Sequence, residues 1–407
     1  VTFAHDAYLA GAAGPRHAGD SDAATHGADV DAAAGSSAEP LSFERFYTVI
    51  PAGGVGTRLW PLSRANAPKF LHDLTGSGTT LIRGTYERLA PLTGERVVVV
   101  TGEQHRDAVR AQLPEVDDAD LVLEPSPKDS AAAIGLAAAI LHRRSPDIIM
   151  GSFAADQVIA PVDVFQAAVR EAVATAVSGK IVTIGITPTH PSTAFGYIRR
   201  GDRLEVPHAP SARQVAEFVE KPGEERARQY VADGDYLWNA GMFVAPVGLL
   251  LQHLQAAEPQ LHAGLVEIAE AWGTERQDEV MQRVWPGLPK TAIDYAVAEP
   301  AADAGDVAVI PGDFTWDDVG DFAAIARLNP AHEQDEMTVL GEKARVYSDQ
   351  SSGVVVSDTQ RVVALIGVEG IVVVDTEDAL LVTTTDHAQS VKQAVEALRE
   401  KGDSDVL

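Results

Sequence analysis

Five short runs in the first half of the chain leave little choice of architecture. Phe46–Ile50, Arg96–Thr101, Leu121–Leu123, Ile148–Phe153 and Ile181–Ile186 are apolar at almost every position, so strands made from them must bury both faces. Between them lie segments with helical spacing of apolar residues, at about Thr80–Leu89, Gln104–Gln112, Ala131–Arg143 and Val164–Val177. Two-faced strands alternating with helices predict an α/β domain built on a Rossmann-like, mixed but mostly parallel sheet. Shorter strand signals follow at Gln214–Val219, Met242–Val244 and Val307–Ile310, with a helical stretch over Val247–Trp272.

The pattern changes near the end. From Lys343 to Thr385 the chain is rich in Val and Thr, with strand-like runs at Gly353–Val356, Val362–Ile366, Ile371–Val374 and Leu380–Thr383. They recur roughly every nine residues, which suits a short β-helix-like domain. An amphipathic helix, Ser390–Lys401, is expected to cap it. At the other end, residues 1–40 are Ala-, Gly-, Asp- and Ser-rich without a sustained apolar period and read as a disordered tail. The expected divisions are therefore a tail at 1–40, an α/β domain at 41–335 and a β-helix-like domain at 336–407.

Charge and cysteine content remove whole classes of function. A formal net charge of −27 repels nucleic-acid backbones and anionic membranes. The absence of cysteine excludes disulfides, thiolate nucleophiles and Cys-based zinc sites. The most apolar helical stretch, Ala131–Leu141, is too short to span a bilayer, and the N-terminus lacks the pattern of a secretory signal. A cytoplasmic protein is expected. A phosphate ligand remains compatible with this acidity, because a metal, a few aimed cations and backbone N–H groups suffice to hold one.

The first apolar run leads directly into Pro51-Ala52-Gly53-Gly54-Val55-Gly56-Thr57-Arg58-Leu59, followed by Pro68-Lys69. Open α/β sheets bind ligands at this carboxyl edge. Glycines there let backbone N–H groups approach phosphate oxygens, the planar fork of Arg58 spans two of them, and Lys69 adds a point charge suited to departing pyrophosphate. A Walker A loop needs Gly-Lys-Ser/Thr, and a dinucleotide fingerprint needs glycine where Leu59 stands; neither fits. The stretch, with Arg58-Leu59-Trp60-Pro61-Leu62-Ser63-Arg64, closely resembles the signature of the nucleoside-diphosphate-sugar pyrophosphorylases, in their mannose-1-phosphate guanylyltransferase branch. In that branch Gln-Phe commonly follows the lysine; here Phe70-Leu71 does.

Two aspartates stand at strand ends, Asp156 and Asp318. Position alone makes each more often a helix cap than a metal ligand. Ala155-Asp156-Gln157 is similar to the family's Ala-Asp-His, and Trp316-Asp317-Asp318-Val319-Gly320 to its Trp-x-Asp-x-Gly. The resemblance implies Mg2+ on Asp156 and Asp318, with Asp318 rather than Asp317 as the ligand. Further elements occur in family order. Glu124-Pro125 with Asp129-Ser130 resembles the nucleoside-holding Glu-Pro-x-x-x-Asn-Thr. Gly196-Tyr197, Glu220-Lys221, Asn239 and Asp294 with Glu299 resemble the sugar-phosphate elements.

Together these imply a GT-A-like nucleotidyltransferase domain that joins GTP and mannose 1-phosphate, with Arg58, Lys69, Asp156 and Asp318 as the catalytic set. They imply nucleotide or phosphate contacts from Ala52, Gly53, Gly54, Gly56, Thr57, Glu124, Pro125, Asp129 and Ser130. Another sugar 1-phosphate and nucleotide, or a silent nucleotide-sugar-binding subunit, would carry much of the same pattern. The expected assembly is a homo-oligomer, a dimer.

Overall fold

The structure, a computed structural model, describes residues 42–407 apart from Val55, 330–336 and 342–343. The tail expected over residues 1–40 and the boundary expected at 335–336 lie outside the described residues.

The strands of the α/β part are β1 (Phe46–Ala52), β2 (Val97–Gly102), β3 (Leu121–Glu124), β4 (Ile149–Ser152), β5 (Val158–Ala160), β6 (Ile181–Ile186), β7 (Tyr197–Arg203), β8 (Arg213–Val219), β9 (Tyr236–Pro246), β10 (Val307–Gly312) and β11 (Thr315–Asp317). Nine of them make one sheet in the order β3-β2-β1-β4-β9-β6-β10-β8-β7. The β3-β2-β1-β4 block is parallel, β10 runs parallel to β6, and β9 and β8 are antiparallel to their neighbours. The expected mixed, mostly parallel sheet is therefore present.

The doubly apolar strands do bury both faces. On β2, Val98 and Val100 join the core beneath helix Ser130–Arg144, while Val97 and Val99 join the one beneath helices Leu81–Thr93 and Val162–Val177. Helix Ser130–Arg144 is buried without interruption from Ala131 to Leu141, because helices Val247–Ala257 and Pro259–Ala271 pack over it. A helix apolar all round belongs inside, and its small residues admit close neighbours. A Cβ added at Gly135 would lie 2.8 Å from Leu265 Cδ1. The single helical stretch expected over Val247–Trp272 is two helices. Pro259 starts the second, and a proline disfavours helical backbone in the residue before it.

The C-terminal strands are β12 (Met337–Leu340), β13 (Arg345–Asp349), β14 (Gly353–Ser357), β15 (Val362–Ile366), β16 (Ile371–Asp375) and β17 (Leu380–Thr384). They alternate between two sheets, β12-β14-β16-β17 and β13-β15, whose pairs are parallel except β16–β17. The nine-residue beat of the sequence is half a coil of this β-helix. Val355 and Val373 fill its interior, whereas Val354, Val356, Val372 and Val374 share a core with Leu59, Leu62, Val319 and Phe322 of the α/β part.

Candidate active site

The chain leaves β1 at the buried Ala52 and turns through Gly54 and Gly56, whose φ values of 84° and 69° favour glycine. A Cβ at Gly53 or Gly54 would meet nothing within 4 Å, so this face of the loop is open to a ligand. Thr57–Leu59 form one tight helical turn. It buries Leu59 and leaves Arg58 exposed, with no hydrogen bond or ion pair to any described residue. After Pro68 a second tight turn, Lys69–Leu71, aims Lys69 inward. Its Nζ lies 2.8 Å from Asp156 Oδ2 and donates to the Asp318 carbonyl at 2.6 Å.

A small pairing brings the two aspartates together. β5 follows Asp156, β11 precedes Asp318, and the two strands pair antiparallel, Thr315 opposite Ala160 and Asp317 opposite Val158. Asp317 is occupied locally: Oδ1 accepts from the Val319 N–H at 2.7 Å and Oδ2 pairs with Arg327 at 3.1 Å. The first of these bonds supports Val319 at a φ of 46°, a value strained for a β-branched residue. Asp318 is half-buried, and its pKa is raised. Burial is the main cause, Lys69 opposes it, and the neighbouring Asp317 and Asp156 add to it. Among the described residues no three His, Cys, Asp or Glu side chains converge as a metal cage. Gln157 donates to the Ala240 carbonyl at 2.9 Å.

Among the residues expected to hold the nucleotide, Glu124 ends β3 buried, with Oε1 lacking any partner, and burial pushes its pKa up to about 7. It borders a cavity of about 610 Å³ lined also by Gly53, Gly54, Gly102, His105 and Pro125. Gly102 and His105 were not among the expected site residues, although Gly102 ends a strand at the same carboxyl edge and carries that signal. Asp129, at a φ of 71°, accepts from the Ser130 N–H at 2.8 Å and caps the buried helix. Ser130 Oγ accepts from the Ile293 N–H at 2.9 Å, joining this loop to the segment before Asp294.

The sugar-phosphate candidates also converge. Asn239 Nδ2 donates to Asp294 Oδ1 at 2.7 Å, and Asn239 Oδ1 accepts from Thr183 Oγ1 and the Gly241 N–H. That last bond steadies a bulge in β9, where Gly241 has a φ of 68° and the register with β6 shifts. The Ala240 carbonyl of the same bulge receives Gln157, so the residue beside Asp156 is tied to the residue beside Asn239. Glu220 Oε1 accepts from Lys221 at 2.7 Å, while Oε2 is buried without a partner. A Cβ at Gly196 would lie 2.4 Å from that Oε2. Glu299 Oε1 accepts from the Glu220 N–H. Burial and the nearby Glu220 raise the pKa of Asp294 to about 6. Burial works against the Lys221 charge, but Glu220 and Asp294 outweigh it and hold that pKa above its ordinary value. Tyr197 is fully buried in the core and its hydroxyl donates to the Ser192 carbonyl, so its ring braces the loop before Gly196.

Arg58 and Asp318 line a cavity of about 490 Å³ with Phe195, Trp238 and Trp316. Both indole N–H groups are buried without a partner. Neither tryptophan was an expected contact, although both stand inside motifs that drew attention.

The chain matches a family described as Nucleotidyl transferase over residues 47–335, and one described as MannoseP isomerase/GMP-like beta-helix domain over residues 345–398. It is 38% identical over 367 residues to a mannose-1-phosphate guanylyltransferase of Escherichia coli (strain K12), covering 89% of this chain and 75% of that relative. It is 34% identical over 369 residues to the xanthan biosynthesis protein XanB of Xanthomonas campestris pv. campestris (strain B100), covering 88% and 74%. A solved structure from Thermus thermophilus, described as a mannose-1-phosphate geranyltransferase, aligns with a TM-score of 0.77 at 32% identity, over 87% of this chain and 99% of that one.

Proposed function

We infer the chemistry of this site from one premise: the chain belongs to the nucleotidyl transferase family, and its activity is transfer of GMP from GTP to mannose 1-phosphate. The products are GDP-mannose and pyrophosphate. In our reading the sugar phosphate attacks the α-phosphorus of GTP and pyrophosphate leaves in line. The attacking oxygen already carries charge, so the chain needs neither a covalent intermediate nor a general base. Positioning and electrostatics carry the reaction.

The observation that supports this most is the meeting of Lys69, Asp156 and Asp318 from three distant parts of the chain. Arg58, unpaired and exposed, reaches for the triphosphate together with the N–H groups of Ala52, Gly53, Gly54, Gly56 and Thr57, and Lys69 stands ready for the leaving pyrophosphate. Glu124 takes the base. Guanine offers neighbouring N1–H and N2–H donors, and a buried carboxylate oxygen without a partner is their complement. Glu220, Lys221, Asn239 and Asp294 hold mannose 1-phosphate.

Two half-buried carboxylates beside a lysine ammonium fit Mg2+, a hard cation that takes few protein ligands and completes its shell with water and phosphate oxygens. Asp156 and Asp318 would hold it, and the chemistry it would supply there is neutralisation of phosphate charge. No helix among the described residues is long and apolar enough to cross a membrane. The same reading takes the enzyme to be cytoplasmic and dimeric; light scattering on the purified protein checks the second of these.

A pyrophosphate-release assay of four nucleoside triphosphates against several sugar 1-phosphates tests the substrates. GTP with mannose 1-phosphate should give the highest kcat/KM, with UTP lower by roughly two decades. EDTA should abolish turnover and Mg2+ restore it. Equal turnover of UTP with glucose 1-phosphate, or full activity in EDTA, would overturn the corresponding part.

A further inference from the structure

The segment Arg58–Arg64 carries two arginines that meet opposite fates. Arg58 is exposed and bonded to no described residue. Arg64 keeps its guanidinium 15% exposed and spends four of its five N–H groups inside the protein. Nε donates to the Pro61 carbonyl at 3.0 Å; Nη1 and Nη2 grip Asp378 at 2.6 and 2.5 Å, and Nη2 also reaches Thr376. Asp378 and Thr376 belong to the turn between β16 and β17, 314 and 312 residues away. The guanidinium drives the Asp378 pKa down to about 2.

Trp60 makes the companion contact. Its indole N–H donates to the Val406 carbonyl at 2.7 Å, and its ring packs on Val391 and Val395 of the terminal helix. Leu59 and Leu62, between and beside these anchors, bury against Val354, Val356, Val372 and Val374. The loop has no strand or long helix of its own to fix it. The Asp318 loop leans on the same body: Gln389 donates to Asp321, which caps the following helix through the Ala324 N–H.

We propose that the β-helix-like segment sets the catalytic loop, with Trp60 and Arg64 as positioning residues through which it acts. Lys69 touches Asp156 and the Asp318 carbonyl only if both loops hold their places, and the segment after residue 337 anchors both. Arg64 is too fully engaged to serve a phosphate as well. The proposal rests on the reaction inferred above and adds what aims its cations.

The test compares Arg64→Ala, Asp378→Ala, the double variant and Trp60→Phe with the unaltered chain in steady-state assays and thermal melts. Each alanine variant should lower kcat by roughly one to two decades while KM for mannose 1-phosphate stays within about twofold. The double variant should lose no more than the worse single one, because the pair acts as a unit. Trp60→Phe keeps an aromatic ring but removes the N–H and part of the indole's packing, so kcat should drop with only a modest fall in Tm. A loss in Arg64→Ala without one in Asp378→Ala would mean that Arg64 touches substrate, and would overturn the proposal. So would additive losses, or wild-type kcat in all variants. If the unaltered chain prefers another substrate pair, the reaction reading fails, while variant-to-parent ratios on that pair still decide this one.

Discussion

Lys69, Asp156 and Asp318 form a knot of one cation and two carboxylates whose members do different work. Asp156→Asn and Asp318→Asn should each lower kcat by on the order of two decades or more, measured at saturating Mg2+. Asp317→Asn should do far less, since an amide oxygen can still accept from the Val319 N–H; a larger effect there would reverse the two roles. Glu124 gives a pH prediction. Its folded pKa of about 7 lies above the ordinary 4.5, so the protonated form favours the fold and that stability is lost as pH rises through this window. Asp294, at about 6, acts in the same direction. Tm should therefore decline between about pH 5 and about pH 8, and Glu124→Gln should flatten the decline while raising KM for GTP. An unchanged slope would remove Glu124 from the account. The knot was legible in the sequence through the resemblance of the motifs around its members, because a strand-end aspartate alone reads more often as a helix cap. Asp129 and Ser130 were less so: capping a helix and touching a nucleoside draw on the same small polar side chains.

Elements place these residues, and their legibility varied with burial. Strands buried on both faces announced themselves as apolar runs. β7, with Arg199, Arg200 and Arg203 at least partly exposed, and the three-residue β5 and β11 did not, because partly exposed or very short strands have no pattern to show. Yet the β5–β11 pair is what joins the two aspartates. The bulge in β9 was equally silent, although Asn239 depends on it. A test at this scale is Gly196→Ala. The new methyl group would displace the Glu220 carboxylate, which can swing aside, so the fold should survive. KM for mannose 1-phosphate should rise about tenfold or more with KM for GTP unchanged. Equal changes in both would argue against a sugar-side role for Glu220.

The whole molecule is two architectures sharing one core, and the sequence showed the architectures better than the sharing. Period and composition separate a β-helix from an α/β sheet, but no local pattern says that Leu59 and Val372 will touch. Gly353 tests the coil: at a φ of 137° its added Cβ would sit 1.9 Å from the Ile371 carbonyl oxygen. Gly353→Ala should cost on the order of 1–3 kcal/mol, seen as a lower Tm, and an unaltered melt would show that the coil yields. The long strand β9 governs how such a chain can diverge. One part of it carries Asn239; the other pairs with β4, the strand that leads to Asp156. In the proposed reaction it works as a gauge block between two reactants, holding their separation constant. Loops around Gly196 and Lys221 can drift toward other sugars, but one residue gained or lost in β9 would turn every later side chain to the opposite face. Over generations the loops are free to wander, and β9 has to keep count.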